Sequence, residues 1–278
     1  MQDKIELFGN GSIIQHGKLN ERVYLIKLVS EDFPEIIDYI NKLARDSLYT
    51  KIFCKIPGWA APDFFSDGFI LEAQIPDFYN YKTDAFFMSK FLNSDRLLGI
   101  EYDKLKELSK ILKDNTQKKS QPSLEKGLKI RKLEENNVAQ ICNIYKQVFK
   151  TYPFPIHNEK YILNTMKEGV HYFGVERKNQ LLALSSAEVD LKGQNAEMTD
   201  FATPIDFRGK KLSILLLKYM EKAMKKIGIK TVYTIARLNS IPMNKTFFNC
   251  NYKYAGTLIN NTNIAGSIES MNVLYKYL

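Results

Sequence analysis

A short basic turn stands immediately before an amphipathic helix in this sequence. Apolar residues recur at helical spacing over residues 212–227, and Gly228 ends the pattern. A helix start presents unpaired backbone N–H groups and the positive end of the helix dipole. A turn this basic suits a pyrophosphate or another multiply charged anion, and the alternative is an ordinary helix start with solvated lysines. The turn and first helical residues are Arg208, Gly209, Lys210, Lys211, Leu212 and Ser213.

Three carboxylates upstream of this turn are candidates for acid–base chemistry. The segment AEMTDFAT (196–203) predicts a strand that carries Glu197 and Asp200, and Glu188 lies on the preceding predicted strand. Strand alternation sends Glu197 and Asp200 to opposite faces unless a bulge intervenes. The alternative interpretation is that each of the three is a surface or structural carboxylate without an acid–base role.

Composition limits the class of protein. The chain has 278 residues, 45% of them hydrophobic and 12% aromatic, which is typical of a soluble globular protein. The net charge of +9 reflects lysines spread along the chain without an arginine-rich run, so we expect no nucleic-acid partner. The apolar runs are too short to span a bilayer, and MQDKIELFGN does not resemble a signal peptide, so we expect a cytoplasmic protein with no membrane association.

Cysteine and histidine usage argues against a metal centre. The three cysteines and three histidines are dispersed without metal-binding spacing. We therefore expect reduced thiols and no metal.

A polar, lysine-rich break divides the chain. Residues 113–128, KDNTQKKSQPSLEKGL, predict a linker between an N-terminal domain, 1–112, and a C-terminal domain, 129–278. The C-terminal pattern predicts the order β-α-α-β-β-β-α-β-α-β-β, with a long loop at 259–269 between the last two strands. The expected class is a mixed α/β sheet.

The two parts resemble each other. Residues 22–92 look like a second, degenerate copy of residues 196–275, since Phe69 and Tyr252 are separated by the same 183 positions as Met88 and Met271. The N-terminal copy lacks the basic turn. We therefore expect it to shape or cover a cleft.

The element order and the turn FRGKKLS (207–213) resemble the GNAT superfamily of acyl-CoA-dependent N-acetyltransferases. That family's turn reads Arg/Gln-x-x-Gly-x-Gly/Ala, and its amides cradle the CoA pyrophosphate. Arg208 matches, whereas Lys211 replaces the expected glycine and Ser213 replaces Gly/Ala. The resemblance implies a GNAT fold in the C-terminal half, a degenerate partial GNAT repeat in the N-terminal half, and acetyl-CoA as co-substrate.

Longer segments are similar to the β-lysine N6-acetyltransferases. They include YPFPI (152–156), YTIAR (233–237) and NNTNIAGSIESMNV (260–273). The resemblance implies that the product is N6-acetyl-β-lysine, a compatible solute in osmoadaptation, and that a lysine 2,3-aminomutase supplies the β-lysine.

The resemblance also implies residue roles. GNAT enzymes often place a base six residues before the position that corresponds to Thr203, which makes Glu197 the first choice, Asp200 the second and Glu188 the third. Backbone groups of Ala202 and Thr203 are expected to hold the pantetheine arm, and Asn244 to lie near CoA. The tyrosine that protonates the leaving thiolate in many relatives is matched by Phe247, which has no proton to donate. Cys250 is expected to be a core thiol, so transfer is direct.

The substrate of such an enzyme carries charges that need partners. We expect Arg237 to meet its carboxylate, and the amides of Asn260, Asn261 and Asn263 to orient its amines. Another diamine or lysine isomer remains an alternative substrate. A non-catalytic GNAT-like module that binds RNA or protein, and an enzyme that acetylates protein lysines, are alternative functions.

Overall fold

A computed structural model describes residues 3–113 and 122–278, so residues 114–121 of the predicted linker lie outside the described residues. One mixed sheet of 13 strands runs through the molecule in the order β1-β2-β3-β4-β6-β5-β12-β13-β11-β10-β9-β8-β7. The strands are β1 (Lys4–Phe8), β2 (Ser12–Gly17), β3 (Arg22–Lys27), β4 (Lys51–Pro57), β5 (Ile70–Tyr79), β6 (Thr83–Phe91), β7 (Lys129–Leu133), β8 (Val170–Arg177), β9 (Gln180–Asp190), β10 (Asn195–Ala202), β11 (Thr231–Arg237), β12 (Lys253–Ile264) and β13 (Ser267–Tyr277).

Helices pack against this sheet, and none that the structure describes has the length and apolar character to cross a membrane. They are α1 (Glu35–Asp46), α2 (Ala61–Ser66), α3 (Ser94–Leu98), α4 (Tyr102–Lys113), α5 (Val138–Val148), α6 (Glu159–Lys167), α7 (Leu212–Lys226) and α8 (Ile241–Asn249). The predicted mixed α/β class and the predicted C-terminal order of elements are both confirmed.

The predicted long loop at 259–269 is wrong. Strand β12 continues to Ile264 and pairs with β13 up to Ser267, so only Ala265 and Gly266 form the turn. Both residues have positive φ, of 56° and 92°, as a tight two-residue hairpin turn requires. The run of asparagines suggested a loop, but pairing with β13 and contacts from the N-terminal half to backbone groups hold this stretch in a strand.

The two halves share one strand-pairing scheme. In the N-terminal half β3 runs parallel to β4, β4 antiparallel to β6, and β6 antiparallel to β5. In the C-terminal half β10, β11, β13 and β12 pair in the same way. The halves join where β5 meets β12, with Gly256 opposite Ala73. A Cβ at Gly256 would lie 2.1 Å from the Glu72 carbonyl oxygen, so the junction requires glycine.

A matching aromatic pair joins α2 in the N-terminal half, and α8 in the C-terminal half, to a residue that follows the helix. Phe64 meets Phe69 edge to face at 5.0 Å, and Phe247 meets Tyr252 edge to face at 4.9 Å. In each pair the later residue also donates its backbone N–H to the carbonyl of the earlier one. The division into domains at 113–128 stays a prediction.

Separate cores lie on the two sides of the sheet. Helix α7 buries Leu216, Met220 and Met224 against the C-terminal strands. Side chains of both halves meet in another cluster, which includes Tyr24, Phe53 and Tyr233. The candidate site lies in the C-terminal half, and residues of the N-terminal half approach it across this contact.

Candidate active site

The basic turn gives α7 an open N-terminus. Gly209 has φ of +79°, and Lys211 occupies the N-cap position in the left-handed region with φ of 57°. The side chain of this N-cap residue makes no capping hydrogen bond. Arg208 folds back, and its Nε donates to the Thr203 carbonyl at 3.0 Å. Backbone amides and positive charge are therefore grouped at one point, where anions bind favourably.

A cavity of about 690 Å³ lies beside this turn. It occupies the space where two parallel strands separate, because β10 pairs with β11 only at Asn195, Ala196 and Glu197. On one side it is lined by Thr199–Phe201 and Thr203, and on the other by Thr234–Arg237. The cavity thus connects the start of α7 with Asp200.

A bulge changes the direction of Asp200. The register between β10 and β9 shifts between Thr199 and Ala202, and Asp200 has a positive φ of 56°. Consequently the charges of Glu197 and Asp200 both act on Glu188. The bulge overrides the strand alternation that would have separated these carboxylates.

Asp200 is held by the hydroxyl groups of Tyr152, Ser186 and Thr199, the last at 3.4 Å from its Oδ1. Tyr152 donates to its Oδ1, and the Ser186 Oγ donates to its Oδ2 at 2.7 Å. Burial raises the pKa of the Asp200 carboxyl, and these hydrogen bonds oppose the shift. Tyr152 belongs to the proline-interrupted segment 151–157, to which the sequence assigned no chemical role.

Glu197 and Glu188 are directly opposite each other in the β10–β9 ladder. Burial raises the pKa of Glu197, Lys55 and Tyr233 oppose this shift, and Asp200 adds to it. Burial and the charges of Glu197 and Asp200 raise the pKa of Glu188 to about 8. Glu188 is nevertheless solvent-exposed, so this group of carboxylates opens to solvent.

The N-terminal half also places residues near these carboxylates. Lys55 on β4 donates from Nζ to the Tyr233 hydroxyl at 2.7 Å. Burial raises the pKa of the Tyr24 hydroxyl on β3 well above its usual range, and the charges of Glu197 and Glu188 add to this shift. Sequence reasoning missed both residues, because neither belongs to a motif and each meets the site only through the tertiary fold.

The predicted cofactor residues fall into three groups. The cavity is lined by Thr203, Arg208, Gly209, Lys211, Leu212 and Ser213. Lys210 belongs to the same turn, with its Nζ 5.7 Å from the centre of the Phe207 ring, and Ala202 is buried next to Thr203. The prediction that Asn244 lies near CoA is corrected, because its side chain is fully buried. Its Nδ2 donates to the carbonyls of Arg237 and Ser240, and its Oδ1 accepts from Asn272.

Arg237 lines the cavity but already has a partner. Its Nε and Nη2 donate to the two carboxylate oxygens of Glu269, at 2.9 Å and 2.6 Å. This fork-shaped ion pair leaves Nη1 as the remaining guanidinium nitrogen for a ligand.

The three predicted amide contacts lie in the interface between the halves instead of in the cavity. Asn260 donates to the carbonyls of Arg96 and Gly99. The carbonyl of Asn261 accepts from Arg22, and the backbone amide of Asn263 donates to Asn20. We correct their role to that of joining the two halves.

Phe247 and Cys250 both lie in the C-terminal core. Phe247 lines the cavity and meets Phe201 edge to face at 5.5 Å. Cys250 is buried, and burial together with the charge of Glu221 raises the pKa of its thiol to about 11. A thiol in this state is a poor nucleophile at neutral pH.

The site thus combines a basic helix start, a cavity between separating strands and a group of carboxylates with raised pKa. These features fit an N-acetyltransferase that uses acetyl-CoA. No protein-family model matches the chain. It is, however, 37% identical over 276 residues to the β-lysine N6-acetyltransferase of Methanococcus maripaludis, covering 99% of both chains.

A second relative supports the same assignment. The β-lysine N6-acetyltransferase of Methanosarcina mazei is 34% identical over 202 residues, which cover 72% of this chain and 73% of that protein. The chain therefore belongs to the β-lysine N6-acetyltransferase family of GNAT enzymes. The crystal structure of the ribosomal-protein-S18-alanine N-acetyltransferase from Escherichia coli covers 54% of this chain and 93% of its own, with 17% identity and a TM-score of 0.48.

Proposed function

We propose that the protein transfers the acetyl group of acetyl-CoA to the terminal amine of β-lysine and so forms N6-acetyl-β-lysine. The names of both relatives support this substrate. The structural observation that carries the proposal is the cavity that runs from the start of α7 to Asp200. A lysine 2,3-aminomutase would supply the β-lysine.

The basic turn suits the diphosphate of CoA. Amides at the start of α7 and the positive charges of Arg208 and Lys210 favour a multiply charged anion there. The backbone of Ala202 and Thr203 follows the cavity wall towards the carboxylates, in the position that we propose for the pantetheine arm. Backbone amides at Phe201 and Thr203 are our candidates for polarising the thioester carbonyl.

A primary amine must lose a proton before it attacks the thioester. Its pKa of about 10.4 makes deprotonation at pH 7 cost about 4–5 kcal/mol, at about 1.36 kcal/mol per pKa unit. We assign the role of general base to Glu197, because its raised pKa is closer to neutral pH than the pKa of an ordinary carboxyl group. Asp200 accepts bonds from Tyr152 and Ser186, and Glu188 has a pKa of about 8, so we place both beside the base.

In the proposed transfer the amine nitrogen forms a bond to the acetyl carbon and the carbon–sulfur bond breaks. Glu197 takes the amine proton, directly or through water. Phe247 has no proton for the leaving thiolate, so we assign that role to Tyr152, which lines the cavity, or to solvent. The buried Cys250 supports direct transfer without an acyl-enzyme. We retain Arg237, through Nη1, as the partner of the substrate carboxylate.

The test is thiol release from acetyl-CoA across a panel of β-lysine, α-lysine and simple diamines. We expect the highest kcat/KM with β-lysine, and mass spectrometry should locate the acetyl group on N6. Preference for another amine would overturn the substrate and leave the enzyme class intact. Acetylation at the other nitrogen would overturn the proposed orientation.

A further inference from the structure

Lys55 reaches the C-terminal carboxylates from the other half of the protein. It lies on β4, whereas its partner Tyr233 lies on β11, and β6, β5, β12 and β13 separate these strands in the sheet. The Lys55 Nζ is 2.7 Å from the Tyr233 hydroxyl and 5.1 Å from the centre of its ring. The contact joins residues 178 positions apart, across the face where the two halves pack together.

Tyr233 in turn contacts Glu197. The two residues are register partners in β10 and β11, so their side chains leave the sheet on the same face. A lysine ammonium only donates hydrogen bonds, so the Tyr233 oxygen accepts from Lys55 and its O–H is left to donate. Besides this neighbour relationship, the Tyr233 hydroxyl and the charge of Lys55 both act to lower the pKa of the Glu197 carboxyl.

We propose that Lys55 is a positioning residue that acts through Tyr233 to hold Glu197 ionised and oriented for amine deprotonation. The inference rests on the proposed function, in which Glu197 is the base. It makes the N-terminal half part of the active site, because that half supplies the cation.

The surroundings of Glu197 explain why a cation is useful there. Glu188 on β9 and Asp200 on β10 bring negative charge, and Tyr24 on β3 and Tyr233 on β11 bring hydroxyl groups. Burial and Asp200 raise the pKa of Glu197, and Lys55 lowers it. Without that cation the carboxylate holds its proton to higher pH and is less available as a base.

The pH dependence of kcat/KM tests the role of Lys55. In the Lys55→Met enzyme we expect the acid limb to move up by about one pH unit, as loss of a nearby opposite charge predicts. The activity of the variant should then be several-fold lower than that of the wild type at pH values below the shifted limb. It should return to near the wild-type value on the alkaline plateau. Lys55→Arg keeps the charge and should keep the limb near its wild-type position.

Tyr233→Phe removes the connecting hydroxyl, so it should also raise the limb and add little in the Lys55→Met background. This variant also keeps the proposal testable if Lys55→Met does not fold. Lys90→Met is the matched control, because Lys90 also lies over an aromatic ring, 5.7 Å from the centre of Phe69, but pairs with Asp67. The control should leave the limb unchanged.

An unshifted limb in both Lys55→Met and Tyr233→Phe would overturn the proposal, as would an equal loss of activity at every pH. The assay uses whichever amine the wild-type enzyme prefers. Failure of β-lysine as substrate is therefore seen separately, in the wild-type protein.

Discussion

Glu197 and Tyr233 form the last register pair of β10 and β11 before these strands separate around the cavity. Glu197 therefore lies on β10 at the closed end of the gap whose opposite end is the start of α7. Separated parallel strands expose backbone groups on both sides of the gap, which a ligand can satisfy. We therefore propose that Glu197 meets the acyl group of a ligand anchored at the helix start.

Replacement of Glu197 by Gln should remove the base and keep the shape of the side chain. We expect kcat/KM for the amine to fall by about 10²–10⁴-fold, the usual contribution of a general base. The KM for acetyl-CoA should change little. Steady-state thiol release measures both quantities.

Comparison with other acidic residues makes this test specific. Glu221 on α7 pairs with Lys276 at 2.6 Å and lies outside the carboxylate group, so Glu221→Gln should retain activity. Asp200→Asn and Glu188→Gln should have smaller effects than Glu197→Gln. A larger loss in either of these would move the base to that residue.

Gly209→Ala should weaken acetyl-CoA binding. Gly209 has φ of +79°, and a Cβ added to it would have no atom within 4 Å, so the new methyl group would enter the space that we assign to the CoA diphosphate. We expect the KM for acetyl-CoA to rise about tenfold, equivalent to about 1.4 kcal/mol of binding.

Gly228→Ala is the matched control at the other end of α7. Gly228 has φ of +85° and equally open space, so both variants should lose about 1 kcal/mol of stability from the left-handed backbone. Only Gly209→Ala should change the KM. Equal KM changes in the two variants would refute the assignment of the turn.

Glu188 should make stability depend on pH. Its pKa is raised from 4.5 to about 8 in the folded protein, so in that window the folded state holds a proton that the unfolded chain releases. Its contribution to stability is therefore present below pH 4.5 and is lost as the pH rises towards 8. Glu188→Gln removes this loss. The melting temperature of the variant minus that of the wild type should therefore increase as the pH rises from 4.5 towards 8. A pH-independent difference would contradict the assignment.

A buried ion pair should couple the two halves. Lys51 donates to Glu72 at 2.8 Å and to the Ile259 carbonyl at 2.7 Å, while Glu72 accepts from the Ile259 N–H at 2.6 Å. Lys51→Met leaves a buried carboxylate unpaired and should cost about 3–5 kcal/mol in the free energy of unfolding. The double variant Lys51→Met/Glu72→Leu should lose less than the sum of the single changes.

Urea unfolding, followed by circular dichroism, measures these values. Because the pair bridges β4, β5 and β12, we expect one cooperative transition for both halves in the wild-type protein. Two separate transitions would show that the halves are thermodynamically independent.

Local patterns made the C-terminal elements predictable. Helix α7 was expected from apolar spacing and from Gly228, whose backbone amide donates to the Lys225 carbonyl at the end of the helix. The same local reasoning failed at Asn260 and Asn261, because asparagine favours turns unless other groups satisfy it. Here Arg22 and Arg96 from the N-terminal half donate to the backbone carbonyls of Asn261 and Asn260 and hold this stretch in β12.

The sequence by itself determined the order of strands and helices, the basic start of α7, and Glu197, Asp200 and Glu188 as candidate acids and bases. These features depend on residues close together in the chain, whose periodicity and turn chemistry are local. Only the tertiary structure decided that a bulge turns Asp200 towards Glu188 and that Lys55 and Tyr24 lie near the same carboxylates. Such contacts depend on how two distant parts of the sheet pack face to face, and no spacing along the chain records that geometry.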